Sequence, residues 1–447
     1  MNTSTFKGGI HLPGYKEGTQ GLPIVLAGIP DKIYLPVSQH IGAPCVPLVQ
    51  VGDEVKKGQK IAEGKGFVTA PIHASVSGKV VAIEKKQHPG GNFVNCIVIE
   101  NDYKEEWADT VKPNSHPEEL SAEEIRKIIF EAGIVGLGGA TFPAHVKLAP
   151  VEGKKADYIL LNGVECEPYI TADHRLMLEK PERIVAGLRY ILKSTGCEQG
   201  IIAIEENKPD AIALFQKMLA KEKNIRVQAL KEKYPQGSEK HLIYACTQRE
   251  VPVGGLPLDA GVVVHNVGTA AAIADAVEEG IPLIQRIVTL SGDGVNKPTN
   301  YLVRLGTLFS SLIEESGGYS GDVEKIIAGG LMMGKTVFTA EIPVIKGSSG
   351  IVVLKKTGKE KEREYSCVRC AKCVDACPLF LEPTTLVKLA KRRLWEEAEQ
   401  NNALSCIECG SCVFVCPARI PLVQYIRRAK QEIGALKAKA KSAGGKK

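Results

Sequence analysis

The period of the hydrophobic and polar positions changes along the chain, and those changes divide it. From about Ile33 to Glu100, short apolar runs alternate with turn residues: Val46-Pro47-Leu48-Val49, the segment Val51 to Ile61, then Ser77 to Ile83 and Cys96 to Ile99. Runs this short and closely spaced predict a small β-rich barrel or flattened sandwich. A polar, acidic linker covers 101–117. Ser121 and Glu124 then form a capping-box signature, and Ile125, Ile128 and Ile129 give an apolar helical face that stops at Gly133. Buried-strand runs at 157–161, 200–205 and 261–264, with a helix over 208–222, predict an α/β unit. From Arg286 the order reads strand, Gly-rich turn, strand, then a helix over 307–316. A Lys/Glu-rich connector over 355–364 leads to Leu386, Leu389 and Leu394 at helical spacing. The Gly- and Pro-rich first thirty residues read as an extended lead-in.

Composition places the chain among soluble multidomain proteins: 447 residues, 44% apolar and 24% charged. The net charge of +6 sits in the tail. Beyond Pro421 stand Arg427, Arg428, Lys430, Lys437, Lys439, Lys441, Lys446 and Lys447 against Glu432, a local +7 that leaves residues 1–420 at −1. A basic tail without interleaved aromatics excludes nucleic acid as the expected partner and fits an anionic membrane surface or an acidic protein; a solvated tail is the plain alternative. The most apolar stretch, Ala260 to Val277, is interrupted by His265, Asn266 and Asp275, so any membrane association is expected to be peripheral.

Eight of the 13 cysteines form one motif twice: Cys367-x2-Cys370-x2-Cys373-x3-Cys377-Pro378 and Cys406-x2-Cys409-x2-Cys412-x3-Cys416-Pro417. In this bacterial ferredoxin run, three sulfurs on one tight loop grip three irons and the fourth cysteine serves the other cluster. Two [4Fe–4S] clusters are therefore expected, one on Cys367, Cys370, Cys373 and Cys416, the other on Cys406, Cys409, Cys412 and Cys377. Zinc would call for paired Cys-x2-Cys sets, and a disulfide framework does not repeat in this way. Cys45, Cys96, Cys166, Cys197 and Cys246 are scattered. With no secretory signal, this usage points to a reducing cytoplasm.

The remaining chemistry lies in glycine-rich and strand-end segments. Gly136-Leu137-Gly138-Gly139-Ala140-Thr141-Phe142-Pro143 offers bare amides to an anion, and a helix after it would add its dipole. Asn162-Gly163-Val164-Glu165-Cys166-Glu167-Pro168 and His265-Asn266-Val267-Gly268-Thr269 follow strands, where ligands of α/β sheets gather. Tyr234-Pro235-Gln236-Gly237-Ser238-Glu239 is a turn bearing an aromatic and an acid.

In this order, and with Lys147 and Asp173, these segments resemble the flavin-bearing, NADH-oxidising subunit of respiratory complex I. The resemblance implies that Gly136, Gly138, Gly139, Lys147, Asn162, Gly237, Asn266 and Thr269 hold FMN. It also implies that Glu165 and Glu167 stand at the nicotinamide side as positioning groups, with Cys166 close to the ring. Leu137 replaces the family's Arg, and Val164 its Asp. The first β-rich segment resembles lipoyl/biotinyl barrel-sandwich domains. Lys65, flanked by Gly64 and Gly66, lacks the attachment context, so a structural or docking role is expected. The segment from 284 resembles the β-grasp (SLBB) module that follows the flavin domain in the same family, and is expected to be structural.

The implied fold is multidomain, α/β and α+β. It comprises a lead-in (1–30), a barrel-sandwich hybrid (31–102), an α/β FMN/NADH-binding domain (118–283), an SLBB-like β-grasp domain (284–354), an α-helical two-cluster ferredoxin domain (365–425) and a basic tail (426–447). That order is similar to the C subunits of the Rnf electron-transport complexes. The resemblance implies an NAD(H)-dependent oxidoreductase subunit of an ion-translocating complex, peripheral on the cytoplasmic face of the cell membrane. Its partners would be the other subunits, a ferredoxin-type carrier and NAD(H). A soluble cobalamin-reductase-like flavoprotein and a pure electron wire without flavin are the rival readings.

Overall fold

The computed structural model describes residues 3–356 and 363–444; the middle of the Lys/Glu-rich connector and Lys446 and Lys447 of the tail lie outside the described residues. A short strand, β1 (Ile24–Leu26), lies in the lead-in. The barrel-sandwich strands follow as β2 (Lys32–Pro36), β3 (Val46–Pro47), β4 (Glu54–Val55), β5 (Lys60–Glu63), β6 (Ile72–His73), β7 (Gly78–Gln87) and β8 (Phe93–Asn101). They form two antiparallel sheets, β2-β8-β7-β4 and β3-β5-β6, which close over Ile33, Leu35, Ile61, Ile72, Val80 and Ile99.

The α/β unit opens with α1 (Ala122–Glu131), whose capping box is formed: Glu124 N–H donates to Ser121 Oγ at 3.3 Å, and Ser121 N–H to the Glu124 carboxylate at 2.7 Å. The helix expected after the Gly-rich loop is a single turn, α2 (Ala144–Lys147), entered from Pro143 without a side-chain cap, so its dipole is slight. There follow β9 (Tyr158–Gly163), α3 (Ala172–Glu179), α4 (Pro181–Thr195), β10 (Gln199–Glu205), α5 (Pro209–Met218), β11 (Ile225–Leu230), α6 (Glu239–Thr247), β12 (Val262–Asn266) and α7 (Val267–Glu279). The strands are all parallel, in the order β11-β10-β9-β12. The chain steps outward from β9 to β11, then returns to the other side of β9. This reversal makes a crevice at the carboxyl ends of β9 and β12, the position where such sheets take ligands.

The β-grasp unit comprises β13 (Gln285–Ser291), β14 (Thr299–Arg304), α8 (Phe309–Glu315), β15 (Val323–Ala328), β16 (Lys335–Val337) and β17 (Gly350–Lys355). Its sheet has six strands because β1 pairs in parallel with β14, Ile24 opposite Asn300. The lead-in is thus built into a later domain. The final unit is helical: α9 (Lys372–Asp375), α10 (Pro383–Lys391), α11 (Trp395–Gln400), α12 (Ser411–Phe414) and α13 (Leu422–Gly444). The described part of the basic tail, to Gly444, belongs to α13, whose first turns bury Ile426, Ala429 and Ile433. One hydrophobic core runs through the barrel-sandwich, α/β and β-grasp units, while the helical unit has its own.

Helices α4 and α7 meet backbone to backbone at Gly187, where a Cβ would overlap the Ala270 carbonyl. Alanine is better than glycine within a helix by about 1 kcal/mol, but overpacking a tight contact costs about 1–3 kcal/mol. Gly187→Ala is therefore expected to lower the unfolding midpoint; a variant more stable than the parent would contradict the close crossing.

Candidate functional site

The crevice is built from backbone first. Asn162 and Asn266 are register partners at the ends of β9 and β12. The Asn266 side chain accepts from Gly268 N–H (2.8 Å), starting α7, and donates to Asp173 (2.6 Å). Asn162 donates to the Gly237 carbonyl (2.9 Å) and accepts from Val164 N–H (3.1 Å). The Gly-rich loop lies over this pair: a Cβ on Gly138 would come within 3.1 Å of Asn266 Cβ, whereas one on Gly139, at φ +127°, would meet nothing. Gly136 N–H closes the loop onto the Phe142 carbonyl (2.9 Å), and Leu137 N–H donates to Thr269 Oγ1 (2.9 Å). Gly138, Gly139 and Ala140 are exposed, and their amides donate to no group among the described residues. Lys147 bridges Glu239 (2.7 Å) and the Val264 carbonyl (3.2 Å).

Leu137 and Val164, where the resemblance would have a polar residue, are core side chains here, 7% and 0% exposed. Their backbone stays fixed by other means. Arg286 of the β-grasp unit donates to the carbonyls of Leu137 (3.3 Å) and Lys346, and its guanidinium is the cationic neighbour of Asp173. The β-grasp unit was expected to be purely structural because no titratable cluster is visible in its sequence. Folding brings its buried Arg286 to the crevice from outside.

Beyond β9 the chain turns through Glu165 and Tyr169, both at positive φ (48° and 69°). Glu165 accepts the amides of Asp173 (2.6 Å) and His174 (3.2 Å) at the start of α3. Glu167 accepts those of Met332 (2.9 Å) and Met333 (3.1 Å) in the β-grasp unit. Both glutamates therefore hold backbone, and neither is a freely solvated loop carboxylate. Lys16, from the lead-in, donates to the carbonyls of Glu165 (2.9 Å), Glu167 (3.0 Å) and Ile170 (2.5 Å). Buried Lys208 donates to the Val164 carbonyl (2.6 Å). Burial, reinforced by the Glu165 charge, pushes the Asp173 carboxyl up to about 7. Burial also raises Glu167 and the Cys166 thiol and lowers Lys16. Cys166 Sγ accepts from Gly237 N–H at 3.4 Å, so Asn162, Gly237 and Cys166 form one wall. Lys16, Lys208, Glu205 and Arg286 had no motif to announce them.

The two cysteine runs have matching backbones 39 positions apart: Arg369 and Glu408 (φ 56° and 59°), then Ala371 and Gly410 (60° and 82°), are left-handed, and α9 and α12 follow. Cys377 lines one cavity with Cys406, Cys409 and Cys412, walled by Leu381, Val423 and Ile426. Cys373 neighbours Cys416 and Cys367, while Cys367 and Cys370 are exposed. Burial and mutual repulsion push the Cys412 thiol up, and burial pushes Cys406 up to about 11. Four clustered thiols, three buried and Cys406 half-buried, are a poor thiolate set unless a cation shares them, so this donor set fits an iron–sulfur cluster. Amides point at the sulfurs as well: Leu381 to Cys377 (3.3 Å), Glu408 to Cys406 and Arg369 to Cys367 (both 3.4 Å).

The two sites are joined. Tyr234, beside Glu167, donates its hydroxyl hydrogen to the Cys409 carbonyl at 2.8 Å. His241 meets the Pro378 carbonyl at 2.9 Å, and Gly9 N–H donates to Ala376 at 3.1 Å. Ile10, Tyr234, Ala376 and Cys409 form a small core with Cys166 and Met332 against it.

Comparison with known proteins follows this division. Residues 4–104 match the RnfC barrel sandwich hybrid domain, 129–275 the Nuo51 FMN-binding domain, 287–336 the SLBB domain and 359–417 the 4Fe-4S dicluster domain. The C subunit of the Na(+)-translocating ferredoxin:NAD(+) oxidoreductase complex of Acetobacterium woodii is 49% identical over 97% of this chain and 98% of its own. The proton-translocating counterpart of Clostridium ljungdahlii is 52% identical over 96% and 94%. The C subunit of the ion-translocating oxidoreductase complex of Rhodobacter capsulatus is 40% identical over 86% and 75%. Among solved structures, the NAD+-reducing [NiFe]-hydrogenase in its H2-reduced state matches with a TM-score of 0.47 and 18% identity, over 73% of this chain and 66% of that one. With relatives this similar and matched almost end to end, the chain belongs to the RnfC family, the C subunits of the ion-translocating ferredoxin:NAD(+) oxidoreductase complexes.

Proposed function

We propose that this chain is the NAD(H)-reacting subunit of a membrane-bound, ion-translocating electron-transport complex, with FMN in the crevice and two [4Fe–4S] clusters in the helical unit. The observation that carries this reading is the direct junction of the two sites through Tyr234 and Cys409. FMN, when bound, accepts a hydride and releases electrons singly, which neither nicotinamide nor a cluster does alone. The protein's part is placement. Gly138, Gly139 and Ala140 offer free amides to a phosphate; Asn162, Gly237, Asn266 and Thr269 fix the crevice wall; Gly136 and Lys147 brace its rim. Glu165 and Glu167 position the loop beside the nicotinamide side rather than moving protons. The cluster on Cys377, Cys406, Cys409 and Cys412 is the inner one, and the one on Cys367, Cys370, Cys373 and Cys416 faces the partner, a ferredoxin-type carrier or another subunit.

No helix among the described residues is long and apolar enough to cross a membrane; in this reading attachment, at the cytoplasmic side, rests on partner subunits and on the basic residues of α13 and the tail.

Chain purified without oxygen is expected to hold FMN with about eight irons and eight sulfides, and NADH is expected to bleach both chromophores. Iron without flavin would leave the electron-wire reading in place. Gly138→Val, which crowds Asn266, is expected to weaken flavin binding at least about tenfold, roughly 1.4 kcal/mol, with iron content unchanged. Cys377→Ala is expected to abolish the EPR signal of the cluster on Cys406, Cys409 and Cys412 and spare the other; the reverse pattern would refute the crossed ligation. Washing native membranes with high salt is expected to release little of the chain if protein docking dominates. Release in step with ionic strength would assign attachment to α13, since exposed charges are screened beyond about 8–10 Å.

A further inference from the structure

Beside Cys166 lies a cavity of about 130 Å3. It is bounded by the lead-in (His11 to Gly14, and Lys16), by Cys166, and by the ends of β10 and β11 at Glu205 and Tyr234. At about 30 Å3 per water it has room for about four. Its inner end is buried, at Glu205, Lys16 and Tyr234, and its outer end reaches exposed His11 and Glu232. The groups facing Glu205 are few. One carboxylate oxygen accepts Lys233 N–H at 3.3 Å; the other has no hydrogen-bond partner and stands 3.6 Å from Lys208. Lys16 spends its three donors on carbonyls, Lys208 spends two on the Val164 carbonyl and Asn207 and has one left for the Glu205 ion pair, Glu232 lies at the mouth, and Cys166 lines the chamber. A 3.3 Å amide contact and a long ion pair to Lys208 are weak ties for a carboxyl 1% exposed at the edge of a chamber this size, and they leave a further duty to be found.

The reaction supplies one. A hydride is one proton with two electrons. The clusters take only the electrons, so each hydride leaves one proton that must reach solvent, or be collected from it in the reverse direction. We propose that this chamber is the proton outlet of the crevice, with Glu205 taking up the proton at the Cys166 wall and passing it through water to the surface between His11 and Glu232. Glu205 changes only by gaining and losing that proton. Its carboxyl suits this role, because burial, opposed by Lys208 and Lys16, pushes it up to about 7 and both of its forms are accessible at neutral pH. This inference rests on the hydride chemistry proposed above.

The test uses the full chain made without oxygen. In the wild-type protein, infrared difference spectra between acid and alkaline buffer are expected to show, beside the Asp173 contribution, a protonated-carboxyl component with a near-neutral midpoint that is missing in Glu205→Gln. A midpoint in the ordinary carboxylate range overturns the outlet, because the group would be always ionised. In single-turnover mixing with NADH, Glu205→Gln is expected to bleach flavin at the wild-type rate. The variant is also expected to reduce the clusters at least about tenfold more slowly, with a larger D2O effect. Unchanged cluster reduction likewise overturns the outlet while leaving the functional reading intact. A wild-type chain without flavin would instead fail that reading, and the infrared titration would still report on the carboxyl. Should Glu205→Gln not retain flavin, Glu205→Asp, which keeps the acid, is expected to hold both flavin and the titrating band; loss of the band in that variant also overturns the proposal.

Discussion

The site depends on one buried ammonium. Lys16 donates to three carbonyls of a loop that turns at two left-handed residues, Glu165 and Tyr169. Each such residue costs about 1 kcal/mol or more and persists only where its surroundings leave no alternative. Taking a lysine out of water is also costly, and among the described residues no carboxylate sits against its nitrogen; the compensation is three hydrogen bonds and the negative charges of Glu165 and Glu205 nearby. Loop and lysine thus stabilise one another. Everything attached to the loop follows: Glu165 starts α3, Glu167 holds the β-grasp unit, and Cys166 meets Gly237. An N-terminal segment with little regular structure of its own fixes the geometry of a crevice about 150 residues away in sequence.

That lysine also shows where reading the sequence stops. Cysteine spacing, the capping box and the parallel-sheet runs were legible because each is a local pattern with a local cause. The paired asparagines were visible too, since strand ends announce themselves. Lys16 sits in a Gly- and Pro-rich stretch with no periodicity, and Arg286 opens an ordinary strand. Both act across more than a hundred residues, and nothing local encodes a partner that distant. The same limit explains β1, whose three residues become a strand only because the edge of β14 is open to it. Leu137 and Val164 carry a different lesson. As letters they are lost polar contacts. In the fold they pack, and the loop is held through its backbone by Thr269 and Arg286.

The two cluster-binding runs repeat the same backbone, yet the fold does not treat them alike. Cys377, Cys406, Cys409 and Cys412 surround an apolar-walled cavity docked on the crevice through Tyr234, while Cys367 and Cys370 are open to water. Potentials of such clusters follow burial, hydrogen bonds to sulfur and nearby charge, not ligand spacing. Burial penalises the added negative charge of reduction, and the Lys430 ammonium, 2.7 Å from the Cys406 carbonyl, shares Glu408 with Arg427, so that this group keeps one net positive charge to oppose the penalty. Lys430 lies on α13, the helix that continues into the basic tail. The tail is therefore joined to the electron path by a rigid element, and an anionic partner drawn to its exposed end approaches the helical unit that carries both clusters. Charge that looks like a solvated appendage in the sequence is, through α13, attached to the helical unit.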